Sequence, residues 1–360
     1  MSVIELFSGC GGFSHGLEAA GFSVAVAYDN DPVLSSSYSR NFPSAKQIQA
    51  DVSKLASTDV YKEVSGPIIG IVGGPPCQGF SSIGKRQEDD PRRGLLSHFF
   101  RLVGEIRPSF FVMENVVGLQ QGAAKEVLSR ALQQVSDAYR ISEPMILDAS
   151  EFGAATKRPR VFVIGFLKEL GIEFKQQNLV PYKKPAASVA DAIKDLQRAK
   201  QVSSPAHSDT WKIPSGAKLS SYAERLASPD RLFTGNTRTK HSQAVIDRFA
   251  KVLPGGIDKV GRHPRLSWGG QCPTLRAGTG SDRGSFQSVR PLHPEEPRVI
   301  TVREAARLQG FPDSHIFHEA IWHSFRMIGN SVSPIMSEAI FMAVRDCLDR
   351  SISRPHLAAE

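Results

Sequence analysis

The sequence predicts an α/β protein: a mostly parallel sheet with helices on its faces, followed by a smaller, loop-rich region. Three observations lead there. From the start to about residue 166, apolar runs of strand length alternate with segments of helical period, the pattern of a parallel sheet whose strands are joined through helices. Near residue 170 Lys, Pro, Ser and Gly rise, and irregular stretches such as "RLFTGNTRTKHSQ" and "LRAGTGSDRGSFQ" replace the alternation. After about residue 300 helical patterning returns in "TVREAARLQGF" and "FRMIGNSVSPIMSEAIFMAVRDCLDR". There a Gly-Asn turn is expected before a long apolar helix that returns to the first domain.

The strand candidates, in order, are "VIELF", "SVAVAY", "KQIQAD", "PIIGIV", "SFFVMEN", "MILDAS" and "RVFVIGF". They are rich in β-branched and aromatic residues and bounded by turn formers. "PIIGIV" is apolar throughout and reads as a strand buried on both faces. Between the strands lie the helix candidates "GFSHGLEAAG" and "DPVLSSSYSRNF"; in the second, Asp31 can cap and Pro32 suits the first helical position. "AAKEVLSRALQQVSDA" has the clearest helical period.

Hydrophobic residues make up 41% and charged residues 22% of the 360, ordinary for a soluble protein, and no stretch was expected to supply the roughly 20 apolar residues of a membrane span. The opening "MSVIELFSG" enters a strand at once, without the basic-then-apolar order of a leader, so a cytoplasmic location is expected. The cysteines at 10, 77, 272 and 347 form no close pair, which fits a reducing compartment. Net charge is +8, yet residues 151–310 hold 27 Lys and Arg against 14 Asp and Glu, a balance of +13 that leaves −5 for the rest. Such a field favours a polyanion such as nucleic acid.

Candidate functional residues gather where strands end. "ELFSGCGGFSHG" is a strand running into a glycine turn and then a helix, a place where backbone can approach a ligand closely. A dinucleotide fingerprint would need glycine at 9, 11 and 14, and residue 14 is serine, which argues against nicotinamide while leaving a nucleoside favoured. Asp29 follows the glycine turn by about the spacing at which an acidic residue holds a ribose, and Asp51 closes the next strand. Cys77, in "GGPPCQGFS", follows the fourth strand on a turn stiffened by Pro75 and Pro76. "FVMENV" brings Glu114 to the same edge, and "GAATKRPRVFVIG" presents Arg158 and Arg160 two apart, as an extended chain would place them on one face.

Taken together, "ELFSGCGG", "AYDND", "ADV", "GGPPCQGFS", "RRGLL", "ENV", "KRPR", "TVREAARLQGFP" and "IGNSVSP" resemble, in number and order, the motifs of the DNA (cytosine-5) methyltransferase family. The resemblance implies a Rossmann-like class I methyltransferase fold. Residues 1–170 and 318–360 would form the catalytic, S-adenosylmethionine-binding domain, and 171–317 a target-recognition domain. It implies cofactor contacts from Phe7, Ser8, Gly9, Cys10, Gly11, Gly12, Asp29, Asn30, Asp51, Val52, Pro76, Leu96, Asn330 and Ser331, and no metal. Cys77 would be the nucleophile, Glu114 would bind and protonate the cytosine ring, and Arg158 and Arg160 would support base and site. The substrate would be a cytosine flipped out of double-stranded DNA, with a restriction endonuclease of the same specificity as a possible counterpart and a monomer as the expected state. "TVREAARLQGFP" would help to fold the recognition region.

The segment "FSSIGKRQEDDPRRG" is expected to close over DNA, and 231–242 and 262–270 are candidate base readers. One departure stands out: the family commonly has proline and glutamine where this chain has Ala155 and Thr156. Two neighbouring readings stay open at this point. A tRNA methyltransferase would share the chemistry, and a catalytically silent DNA-binding relative would share the fold.

Overall fold

The computed structural model describes residues 2–76, 94–204, 208–277 and 290–352. It divides into two compact units: Met1–Asp148, Pro159–Lys183 and Met336–Glu360 in the first, Ala149–Arg158 and Lys184–Ile335 in the second.

The first unit runs β1 (Ser2–Leu6), α1 (Gly12–Ala19), β2 (Ser23–Asp29), α2 (Tyr38–Asn41), β3 (Lys46–Gln49), α3 (Ser57–Glu63), β4 (Ile68–Gly73), α4 (Leu95–Ile106), β5 (Phe110–Asn115), α5 (Ala123–Gln133), β6 (Tyr139–Ile141), β7 (Met145–Asp148) and β8 (Pro159–Leu167). The first five strands pair in the order β3-β2-β1-β4-β5, every neighbour parallel. Antiparallel β8 extends the sheet beyond β5, and β6 and β7 pair with β8. The apolar runs were legible because parallel strands bury both faces. On one face Ile4, Leu6, Val26, Ile71, Phe111 and Met113 pack with Phe99, Phe100 and Val103 of α4 and Leu128 of α5. On the other, Phe13 meets Phe341 at 5.6 Å and Phe22 meets Phe110 at 5.5 Å between ring centroids. Phe341 belongs to α11 (Pro334–Ile352), so the end of the chain does return to the first unit, from Met336 onward.

Two local expectations fail for identifiable reasons. Residues 31–37 form turns, and the helix there shrinks to the four residues of α2. Asp31 does accept from the N–H groups of Val33 at 2.9 Å and Leu34 at 3.1 Å, but the Ser35 and Ser36 hydroxyls donate back to the carbonyls of Asp31 and Val33, a local alternative to helix continuation. Strand β6 has three residues and too little pattern to be read.

The second unit carries a small antiparallel sheet, β9 (Lys200–Gln201), β10 (Thr210–Lys212) and β11 (Leu232–Thr234). Its helices are α6 (Val189–Ile193), α7 (Ser221–Leu226), α8 (Gln243–Ala250), α9 (Val302–Gln309) and α10 (Ile321–Asn330). Helix α9, from "TVREAARLQGFP", is buried at every position. A capping box starts it, with Thr301 Oγ1 accepting from Glu304 N–H and the Glu304 carboxylate accepting from Thr301 N–H. The Arg303 guanidinium donates to the carbonyls of Thr234, Pro312 and His315, and Arg307 pairs with Asp313 at 2.6 Å and Asp195 at 3.3 Å. The motif thus organises the second unit from within. The expected Gly-Asn turn is instead the last turn of α10: a Cβ on Gly329 would overlap the Arg276–Ala277 backbone, so the glycine serves close packing. By length and composition alone residues 321–351 would pass as a membrane span, but 83% of their most apolar 18-residue window is buried, as in a core helix.

Helix α1 and α11 touch through Gly16, where a Cβ would fall 2.5 Å from the backbone N of Glu338 and C of Ser337. Gly16→Ala is expected to lower stability by about 1–3 kcal/mol through overpacking, measured by urea unfolding. Gly104→Ala, whose nearest neighbour would be Val135 Cγ1 at 3.6 Å, should leave stability unchanged or raise it by up to ~1 kcal/mol.

Candidate active site

Strand order reverses between β1 and β4, the place where an open α/β sheet leaves a crevice at its carboxyl edge. Beyond β1 the chain bends sharply: Phe7 has φ 58°, Gly9 51° and Gly11 89°. For Phe7 this left-handed geometry costs on the order of 1 kcal/mol or more, and Gly11 is obligatory because a Cβ there would overlap the Phe42 ring. At Gly9 a Cβ would meet nothing within 4 Å, which leaves an open cradle over its backbone. Gly11 N–H donates to the Ser8 carbonyl at 2.9 Å, and α1 begins without a side-chain cap.

Asp29, at the end of β2 and 8% exposed, faces this turn. Its Oδ2 accepts from Gly9 N–H and its Oδ1 from Asp31 N–H, each at 2.7 Å. Burial raises its pKa, against the lowering effect of those bonds. The Ser8 hydroxyl is buried and has no hydrogen-bond partner among the described residues. An orphaned hydroxyl beside an open glycine and a carboxylate suits a polar, nucleoside-bearing ligand such as S-adenosylmethionine. Asp51 follows β3, its carboxylate held below the usual range by hydrogen bonds from the Ser53 hydroxyl and N–H. Cys10, Val52 and Leu96 are buried, Gly12 opens α1, Pro76 is half-buried and Asn30 is exposed. Asn330 and Ser331 belong to the second unit, where the Ser331 carbonyl accepts from Gln309 Nε2 at 3.0 Å.

Below the glycine turn lies a group that sequence reading did not single out. Glu5 is 1% exposed and accepts a short hydrogen bond from the Ser14 hydroxyl, which in turn bonds Tyr38 Oη at 2.6 Å. Burial, and secondarily the Asp29 charge, push the Glu5 carboxyl up to about 8 against the Ser14 bond. Its signal in sequence was an acid inside an apolar strand.

The turn after β4 is built with equal care. A Cβ on Gly73 would lie 2.5 Å from the Leu6 carbonyl, and one on Gly74 would lie 2.9 Å from Glu114 Oε2. Asn115 Nδ2 donates to the Pro75 carbonyl at 2.9 Å, a role that adjacency to Glu114 did not reveal. Glu114, next to last in strand β5, receives Arg160 Nε at 3.0 Å from Oε1, and both side chains are about nine-tenths buried. Removing one member of such a pair strands a buried charge. Cys77 and the 80–93 part of the expected lid lie outside the described residues.

Arg158 precedes β8, so strand alternation does not govern it. Its guanidinium, 1% exposed, donates to the carbonyls of Leu275 at 3.1 Å and Gly329 at 2.8 Å within the second unit. Thr156, where the family commonly has glutamine, is fully buried and donates to the Cys272 carbonyl at 3.1 Å. The same carbonyl accepts from Lys157 N–H and Cys272 N–H donates to Ala155, each at 2.8 Å.

A family model for C-5 cytosine-specific DNA methylase matches residues 1–346. The Type II methyltransferase M.XorII of Xanthomonas oryzae pv. oryzae is 37% identical, over 98% of this chain and 86% of its own. M.DdeI of Desulfomicrobium norvegicum, also a Type II methyltransferase, is 32% identical over 94% and 87%. A crystal structure described as a DNA modification methyltransferase of an E. coli prophage superposes with TM-score 0.84 at 38% identity, over 97% of this chain and 99% of that one. The S. pombe Dnmt2 structure has the same fold, with TM-score 0.64 at 19% identity over 96% and 99%.

Because the folded protein holds the Glu5 proton that the unfolded chain releases above about pH 4.5, stability should fall as pH rises from there to about 8 and level off beyond. Glu5→Gln should remove most of that fall, which for a shift of this size is a few kcal/mol. Urea unfolding of both proteins at pH 5 and pH 8 measures it; equal pH dependence would contradict a protonated Glu5.

Proposed function

From the premise that this chain belongs to the C-5 cytosine-specific DNA methylase family and is a DNA (cytosine-5) methyltransferase, we propose which of its residues carry the reaction. The observation that supports the assignment best is the buried Glu114–Arg160 pair beside a proline turn pinned by Asn115. That turn leads directly into Cys77.

S-adenosylmethionine, when bound, would supply the electrophilic methyl group that cytosine C5 accepts, the S–CH3 bond breaking to leave S-adenosylhomocysteine. Phe7, Ser8, Gly9, Cys10, Gly11 and Gly12 would form its cradle, with Asp29 on the ribose, Asp51 near the adenine, and Val52, Pro76 and Leu96 as further contacts. Asn30, Asn330 and Ser331 would complete it. The Cys77 thiolate adds to C6: a C6–S bond forms, the C5=C6 double bond opens, and C5 becomes nucleophilic. Glu114 delivers a proton to N3 and so relieves the charge that the addition puts on the ring. Arg160 holds the Glu114 carboxyl in place and offers its remaining N–H groups to the base oxygen. After transfer a base takes the C5 proton, the C6–S bond breaks as the C5=C6 double bond reforms, the N3 proton returns to Glu114, and the Cys77 thiolate is released. Arg158 would support the base and the site, as its motif implies. A stacked cytosine offers neither face to these groups, so the base is flipped out at a cost of a few kcal/mol.

We place the enzyme on double-stranded DNA in the cytoplasm, acting as a monomer. The kinship with Type II methyltransferases supports a role in protecting DNA from an endonuclease of the same specificity.

A duplex carrying 5-fluorocytosine at the site mapped by bisulfite sequencing should trap a covalent complex that survives denaturation, and Cys77→Ser should abolish it. Glu114→Gln should lower single-turnover methylation by about 10²-fold or more. Methyl transfer to tRNA exceeding that to duplex DNA, or an adduct that persists in Cys77→Ser, would overturn the assignment.

A further inference from the structure

In the second unit, large hydrophobic side chains are exposed at one place among the described residues: Leu253 at 76%, Ile257 at 54% and Val260 at 64%. They fall within "KVLPGGIDKVGRHPR", residues 251–265, of which the sequence reading named only the part from 262 onward as a candidate base reader. This segment is a braced hairpin. Gly255 N–H donates to the Arg265 carbonyl at 3.0 Å and Arg265 N–H to the Gly256 carbonyl at 2.8 Å. Nearer the tip, Asp258 N–H donates to the His263 carbonyl at 2.8 Å and Arg262 N–H returns to the Asp258 carbonyl at 2.9 Å. Arg262 sits at φ 59°. Such a residue is strained, and the fold holds it there.

The base of the hairpin is equally fixed. Arg265 is buried and donates to the carbonyls of Phe249 at 2.6 Å and His293 at 2.7 Å. Asp258, 1% exposed, accepts from Gly261 N–H at 2.6 Å and is paired with Arg248 at 3.0 Å. The one acid between 251 and 265 is therefore buried and neutralised, while Lys251, Lys259 and Arg262 are exposed. What remains on the surface is three cations interleaved with three aliphatic side chains, on a rigid support.

We infer that the hairpin at 253–263 is a DNA-contacting element that sets sequence preference, with Lys259 and Arg262 on phosphates and Ile257 and Val260 against base edges in a groove. The inference rests on the DNA substrate of this enzyme. Charge complementarity selects a polyanion, and exposed aliphatics beside cations suit an edge where apolar groups such as the thymine methyl are read. A rigid hairpin binds more tightly than a loop that must be ordered on binding, because less entropy is lost in the complex.

The test uses the full-length enzyme and a duplex of about 30 base pairs, three turns of helix, bearing the mapped site, alongside duplexes with single base changes in it. Lys259→Ala and Arg262→Ala should weaken binding to all of these alike and each reduce the slope of log Kd against log salt by about one. Ile257→Ser and Val260→Ser should leave that slope unchanged and reduce discrimination between the site and its single-base variants by roughly tenfold. Melting temperatures should match wild type, since the altered side chains are exposed, and Val180→Ser, 59% exposed in the first unit, should behave as wild type throughout. Unchanged slopes and unchanged discrimination in all four variants overturn the inference. So does capture of wild type, but not of the variants, by phosphatidylglycerol vesicles when DNA binding is unaltered. A lower slope with full discrimination would overturn the base-edge contact. Failure here with an intact Cys77-dependent adduct leaves the catalytic assignment standing; loss of that adduct in wild type is a failure of the assignment itself.

Discussion

Everything the first unit does depends on one constraint: five parallel strands end at one edge, and their order reverses between β1 and β4. Parallel neighbours cannot be joined by tight hairpins, so each connection crosses a face and every strand delivers its last residue to the same rim. That is why Phe7, Asp29, Asp51, Pro76 and Glu114, scattered through over a hundred positions, are all strand-end residues. Crowding at the rim then dictates the glycines. Gly73 passes so close to the Leu6 carbonyl, and Gly74 to the Glu114 carboxylate, that no Cβ fits at Gly73 and one at Gly74 would displace the carboxylate.

Buried charge is handled in two ways in this molecule. In the first unit Glu5 is kept neutral by burial and bonded to Ser14, whereas Glu114 is matched by a guanidinium. A neutral acid under the glycine turn holds the turn without adding negative charge near Asp29. A paired carboxylate stays available for a ring nitrogen. In the second unit α9 inverts ordinary amphipathicity: Arg303, Glu304 and Arg307 are as buried as its alanines. Each charged group meets carbonyls or an opposite charge, and a helix so satisfied can serve as a core element.

How much of this was legible follows from how local each cause is. Strands β1, β2, β4, β5 and β8 were readable because burial on two faces leaves continuous apolar runs, and the glycine turn because only backbone freedom explains its composition. Residues 31–37 misled because serine hydroxyls can satisfy backbone groups without a helix, and that choice is settled by packing. The spacing of Arg158 and Arg160 invoked strand alternation one residue before the strand begins. Asn115 was invisible as a brace because its partner is a carbonyl 40 residues away. Thr156 shows the same limit: its partner, Cys272, is 116 residues distant, and the missing glutamine gave no hint of it.

The basic balance of residues 151–310 proves to be two populations. Arg158, Arg265, Arg303 and Arg307 are buried and spend their forked donors on carbonyls and carboxylates of the second unit, and Arg231 ties the carbonyls of Pro214, Ser215 and Ala217 from a left-handed backbone. Arginine suits this work because one planar group reaches several acceptors without losing its charge. In a loop-rich unit with short strands, such ties replace the ladders that a larger sheet would supply. Arg231, named as a base reader on sequence, belongs to this framework. The exposed cations are the larger set among the described residues, and of these Lys251, Lys259 and Arg262 stand together on the braced hairpin that also lifts aliphatic side chains of the second unit into solvent. A count of basic residues measures the attraction to a polyanion. Where that attraction becomes recognition is decided by which cations the framework has not already consumed.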